Sequence, residues 1–113
     1  MHEMSIAEGI VDIALDTLKQ NSGTKIHAIQ LRLGLMSGVE PAALEFCFES
    51  VTKGTPAEGA RLEVEIIPLT GRCLDCEQTF RVENYVFKCP HCGSVAIHTE
   101  TGRELQVASI DMD

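Results

Sequence analysis

Apolar residues near the start of the chain return at helical spacing. Ala7, Ile10, Val11, Ala14 and Leu18 fall on one side, with Glu8, Asp12, Asp16 and Lys19 mostly on the other. That stripe predicts an amphipathic helix with one face against a core. Ser5 followed by Glu8 has the form of a capping box, so the helix is expected over residues 5–20, stopping in Asn21-Ser22-Gly23. Met1 to Met4 then lie outside it. The period next changes to two: His27, Ile29, Leu31 and Leu33 alternate with Ala28, Gln30 and Arg32, predicting a strand over 25–34 with one buried face. His27 is expected on that face or at its edge, as a partly buried structural histidine. The run Gly34-Leu35-Met36-Ser37-Gly38 breaks the strand, and Pro41 suits the first turn of a second helix. Its stripe is Leu44, Cys47, Phe48 and Val51, with Cys47 expected to be buried and Gly54 ending the helix. Leu62, Val64 and Ile66 alternate with Glu63 and Glu65 in a second strand that Pro68 closes. Leu105, Val107 and Ile110 suggest a last strand, whose pattern slips near Ser109 and implies a bulge or an early end.

These elements predict an α+β fold: a small three-stranded sheet with two helices on one face, plus an inserted four-cysteine zinc-ribbon-like module. The division expected is 1–70 and 97–113 for the α/β domain and 71–96 for the insertion, which carries short strand candidates at 79–82 and 95–98.

Composition narrows the functions open to such a fold. The chain has 113 residues, enough for one ordinary domain or a small domain with an attached module. Its formal net charge is −8, and four thiolates around one divalent zinc would make it two units more negative still. An acidic chain with no basic run repels phosphate backbones, so no nucleic-acid partner is expected. No apolar run is long enough to span a membrane, and no export signal is visible at the N-terminus; a cytoplasmic protein is expected.

Cys73 and Cys76, then Cys89 and Cys92, form two Cys-x2-Cys knuckles separated by twelve residues, while Cys47 stands alone. A two-residue spacer lets both thiolates of a knuckle meet one tetrahedral metal, and two knuckles supply four sulfurs with no open position for water. A structural zinc fits this pattern best; iron in a rubredoxin-like site and a redox or disulfide role remain open. Metal binding should supply folding energy to a segment too short to build its own core. His91 lies inside the second knuckle and is expected to face solvent rather than replace a cysteine. His98, just beyond the module, is a candidate accessory metal ligand.

A second candidate site is the terminus itself, Met1-His2-Glu3. A free α-amine, the amide nitrogens of His2 and Glu3 and the imidazole of His2 can close small chelate rings around a divalent metal. Nitrogen donors suit nickel or copper. Met1 is expected to survive processing because the bulky His2 disfavours removal of the initiator. Nickel uptake through deprotonated amides should release protons and weaken as pH falls. The Glu3 carboxylate would be an axial ligand, a supporting group or a partner contact. Glu40 and Glu45 read as solvated-face carboxylates. No Walker-type glycine loop and no nucleophile-histidine-carboxylate set is present, so no enzymatic activity is expected.

With MHE at the terminus, LRLGLMSGVEP after the first strand, the EGARLEVE strand and the paired CxxC knuckles, the chain resembles the HypA/HybF family of hydrogenase nickel-incorporation proteins over essentially its full length. The resemblance implies a nickel metallochaperone. With a HypB-type GTPase, such proteins help insert nickel into the [NiFe]-hydrogenase large subunit precursor, and in some organisms they assist urease maturation proteins. It places nickel at Met1, His2 and Glu3 and a structural zinc at Cys73, Cys76, Cys89 and Cys92. The alternative reading is a zinc-ribbon adaptor or interaction protein in which the terminus is inert.

Overall fold

In a computed structural model, the described residues are 2–113; Met1 lies outside them. The order of elements is α1 (Glu3–Gln20), β1 (Ile26–Gly34), α2 (Pro41–Thr52), β2 (Arg61–Ile67), β3 (Thr70–Cys73), β4 (Thr79–Arg81), β5 (Ile97–Thr101) and β6 (Leu105–Met112). The strands form two three-stranded sheets, ordered β2-β1-β6 and β4-β3-β5. The α+β class with two helices and a cysteine module is therefore as the sequence predicts, but the strands outnumber those predicted.

The chain divides into two compact units. The first comprises Met1–Arg32, Gly38–Glu65 and Gln106–Asp113. In it, α1 packs on α2, and the periodic residues Ala7, Ile10, Val11, Ala14 and Leu18 are all buried. Leu44 and Phe48 of α2 and Ile26, Ile29 and Leu31 of β1 complete this largely aliphatic core. On the polar side of the sheet, Gln30 donates to Glu63 at 2.6 Å and accepts from Ser109 at 2.6 Å, while Arg32 pairs with Glu65 at 3.7 Å. Hydrogen-bonded polar side chains suit a sheet face that faces water.

Three local expectations need correction. α1 starts at Glu3, not Ser5, and its N-cap is His2, whose side chain makes no capping hydrogen bond. The Ser5/Glu8 capping box does not form. The reason is tertiary: the Glu3 carboxylate accepts the backbone amide of Glu40 at 3.2 Å, which fixes Glu3 in the first turn. His27 is exposed, and its Nε2 lies 3.0 Å from the Asp113 carboxylate. Two consecutive buried residues, Ala28 and Ile29, shift the phase of β1 and turn His27 outward. Cys47 is half-buried, because Leu44, Phe48 and Thr52 form the inner stripe of α2.

The second unit comprises Leu33–Ser37 and Ile66–Leu105, a wider span than the 71–96 expected for the insertion. Thr70–Cys73 is a strand here, where the sequence pattern suggests only an exit from the first sheet. β3 is the central strand: antiparallel to β4 it pairs Thr70 with Arg81 and Arg72 with Thr79, and antiparallel to β5 it pairs Arg72 with His98 and Cys73 with Ile97. The Thr70 and Thr101 hydroxyls lie 2.6 Å apart, and Thr101 Oγ1 also donates to the Pro68 carbonyl at 2.7 Å, closing the base of this sheet. Gly34 and Gly102 meet backbone to backbone. A Cβ on Gly34 would lie 2.2 Å from the Gly102 carbonyl, and Gly102 has φ +122. Both glycines are required by space, and Gly102 by conformation as well.

Candidate metal centres

The two knuckles are built alike. In each, the amide four residues after the first cysteine returns to that cysteine's carbonyl: Glu77 to Cys73 and Gly93 to Cys89, both at 2.9 Å. The first cysteine's amide reaches the carbonyl five residues on, Cys73 to Gln78 at 2.9 Å and Cys89 to Ser94 at 2.8 Å. Both turns need a left-handed residue, Glu77 with φ 64 and Gly93 with φ 76. This approximate internal symmetry, at an offset of sixteen residues, brings the four sulfurs together.

Cys73, Cys76, Cys89 and Cys92 place their sulfurs within 4.8 Å of one another. Cys73 and Cys92 are 3.6 Å apart, as are Cys76 and Cys89. Four sulfurs at about 2.3 Å from a tetrahedral ion are separated by about 3.8 Å, so the donor set fits one such ion. Backbone amides already face the sulfurs: Cys76 N–H to Cys73 Sγ at 3.5 Å and His91 N–H to Cys89 Sγ at 3.4 Å. Cys73 and Cys89 are buried, Cys76 is half-buried and Cys92 is exposed.

The electrostatics are those of thiols competing for one another's protons. The Cys76 amide, helped by the Asp75 amide and neighbouring thiols, lowers Cys73 to about 6 against the opposing effect of burial. At Cys92 the Ser94 amide favours the thiolate, but the neighbouring sulfurs and burial outweigh it and push the thiol up to about 12. Four thiolates at this spacing repel strongly, and a divalent cation is the natural counter-charge. The cluster can hold a metal ion and leaves no protein-free ligand position for catalysis.

Among the described residues, this is the one group of three or more His, Cys, Asp or Glu side chains close enough to hold an ion. His98 is not part of it; it sits exposed on β5 opposite Arg72. The His91 side chain is exposed as well.

At the other candidate site, Met1 is outside the described residues. His2 is exposed and in extended conformation, and its carbonyl accepts the first helical hydrogen bond from Ile6 at 3.2 Å. The first amides of a helix have no intrahelical acceptor, which leaves the His2 and Glu3 nitrogens outside the ladder. The Glu3 carboxyl is held below its ordinary value, chiefly by the Glu40 amide and then by its own. Glu40 in turn caps α2 by accepting from the Ala42 amide at 3.2 Å. Sequence pattern alone missed this link, because it joins residues 37 apart. A cleft of about 540 Å³ between α2 and the segment leading into β2 contains none of the predicted ligands.

Two helices, small sheets and a four-thiol centre define an α+β protein with a metal-type cysteine module. The family described as "Hydrogenase/urease nickel incorporation, metallochaperone, hypA" matches residues 1–112, and the chain belongs to this HypA family. Its members are chaperones, not enzymes. Similar relatives include the hydrogenase maturation factors HypA of Geobacter sulfurreducens, 42% identical, and Dechloromonas aromatica, 39% identical, each aligned over 100% of both chains. Two solution structures share the fold. The Ni metallochaperone HypA from Helicobacter pylori has a TM-score of 0.69 at 21% identity over 99% of this chain and 97% of that one. A second HypA protein has a TM-score of 0.77 at 22% identity, over 99% and 96%.

Proposed function

We propose that the chain is a cytoplasmic nickel metallochaperone. It binds Ni(II) at Met1, His2 and Glu3 and delivers it, with a HypB-type GTPase, to the [NiFe]-hydrogenase large subunit precursor, with urease maturation proteins as a further client route. Four thiolates at Cys73, Cys76, Cys89 and Cys92 hold a structural zinc that stabilises the second unit. The observation that carries the nickel assignment is the state of His2: it is the N-cap of α1, yet its imidazole is exposed and not spent on capping.

No set of three side chains gathers around His2 and Glu3 among the described residues. Nickel bound there therefore relies on main-chain nitrogen, which suits a nitrogen-preferring metal. The positive end of the α1 dipole disfavours a cation by at most about 1 kcal/mol. That is small against chelation and favours release, which a carrier needs as much as capture. Zinc in a closed site supplies folding energy and, with no open position, no chemistry.

The test is a set of titrations on untagged, zinc-loaded protein. His2→Ala should abolish tight nickel binding and leave one zinc per chain. Nickel affinity unchanged in His2→Ala refutes the terminal site and favours the adaptor reading. Failure to co-purify with the GTPase or the large subunit precursor refutes the delivery role.

A further inference from the structure

The internal symmetry of the two knuckles is broken at one place. Asp75 lies within the first knuckle and Ser94 follows the second, and the Ser94 hydroxyl donates a hydrogen bond to the Asp75 carboxylate. The symmetry-related positions are His91 and Gln78, and both are exposed. One half of the cluster thus carries a side-chain link between knuckles that its counterpart does not show.

Ser94 is tied in on several sides. Its hydroxyl accepts from the Ala96 amide at 3.1 Å, and its carbonyl accepts the Cys89 amide at 2.8 Å. The Leu74 amide reaches the Ala96 carbonyl at 2.9 Å, so the backbone on either side of the link is also fixed. Asp75 lies two residues after Cys73, and Ser94 two residues after Cys92. The sulfurs of those two cysteines are 3.6 Å apart. The result is a closed ring: Cys73, Asp75, Ser94, Cys92 and back across the sulfur pair. It fastens the exposed Cys92 to the buried Cys73.

We propose that Asp75 and Ser94 are positioning residues of the cysteine centre, a clasp that holds Cys92 in place and controls how quickly the metal is lost. Cys92 is the sulfur that water and competing ligands reach first. Release through it requires the second knuckle to lift away from the first, and the Asp75–Ser94 bond opposes that movement. Groups that orient metal ligands typically change metal affinity about 10–100-fold when removed. The clasp rests on the reading that zinc occupies this centre.

The experiment measures zinc transfer from the intact chain to a colorimetric chelator, with circular dichroism as a check on folding. Ser94→Ala and Asp75→Ala should each speed release about tenfold. Asp75→Asn keeps an acceptor oxygen and Ser94→Thr keeps the hydroxyl, so both should stay near the wild-type rate. The Asp75→Ala/Ser94→Ala double variant should release no faster than either single variant, because one bond is lost in all three. Gln78→Ala, at the unlinked counterpart position, should leave the rate unchanged. Wild-type rates in both alanine variants, additive effects in the double variant, or equal acceleration by Gln78→Ala would overturn the clasp while leaving the zinc assignment intact. A wild-type chain that holds no zinc would overturn both.

Discussion

Gly93 and Glu77 occupy the same turn in the two knuckles, with φ of 76 and 64, and exchanging their character should have opposite consequences. A Cβ on Gly93 would approach nothing closer than Lys88 Cε at 3.8 Å, an ordinary contact. Gly93→Ala therefore meets no clash, and its cost is conformational. A left-handed residue with a side chain loses about 1–2 kcal/mol. The less flexible unfolded chain returns about 0.4–1 kcal/mol of that. The net loss is roughly 1 kcal/mol, or about fivefold in an equilibrium constant. Because metal binding and folding are coupled in such a module, the loss should appear as about fivefold weaker zinc binding in competition with a chelator. Gly93→Asn should lose less, since asparagine tolerates this conformation better. Glu77→Gly runs the argument backwards and should tighten zinc binding, by up to about 1 kcal/mol, or leave it unchanged. Equal affinity in wild type and Gly93→Ala, or weaker binding in Glu77→Gly, would refute the strain argument.

Other predictions concern the cores and one titration. Leu44 is fully buried, so Leu44→Ala should lower stability by about 2–5 kcal/mol in urea denaturation; a loss under 1 kcal/mol would mean that the α1–α2 core is looser than described. Gly34→Ala drives a Cβ into the Gly102 backbone and should disrupt folding of the second unit, whereas normal amide spectra for Leu33–Ser37 would contradict that packing. The Glu3 carboxyl should titrate below 4.5 by NMR, and its bond to Glu40 should contribute above that value and be lost as pH falls through the lower folded midpoint. A Glu3 midpoint at or above 4.5 would show that the bond does not persist in solution.

The parts of the fold legible in the sequence were those where local spacing enforces the outcome. The α1 stripe is legible residue for residue, because five apolar side chains at helical spacing leave one way to bury them. The cysteine cluster was legible because two-residue spacers admit few geometries. What escaped depended on partners distant in sequence. The start of α1 is decided by the Glu40 amide, which no local cap signal encodes. Thr70–Cys73 has no apolar alternation and is a strand only because β4 and β5 pair with it. His27, expected partly buried on the apolar face or at its edge, is exposed, because a strict period of two cannot anticipate adjacent buried residues, Ala28 and Ile29. The Asp75–Ser94 link joins side chains nineteen residues apart, each of which looks like an ordinary turn residue in isolation.

The earlier helix start changes the nickel proposal in one respect. Glu3 and Met4 are helical, so the chain free to wrap a metal reaches no further than the Glu3 amide nitrogen, closer to the α-amine than a start at Ser5 would allow. Nickel binding should then depend on the amine itself. The most direct measurement is calorimetric titration of nickel into the untagged, zinc-loaded chain alongside a version extended by a few residues ahead of Met1. The extended chain keeps every side chain and the zinc centre and loses only the free amine next to His2. Tight binding by the untagged chain and loss of that binding in the extended one is the result predicted here; equal affinity in the two would contradict a carrier whose cargo sits at Met1, His2 and Glu3.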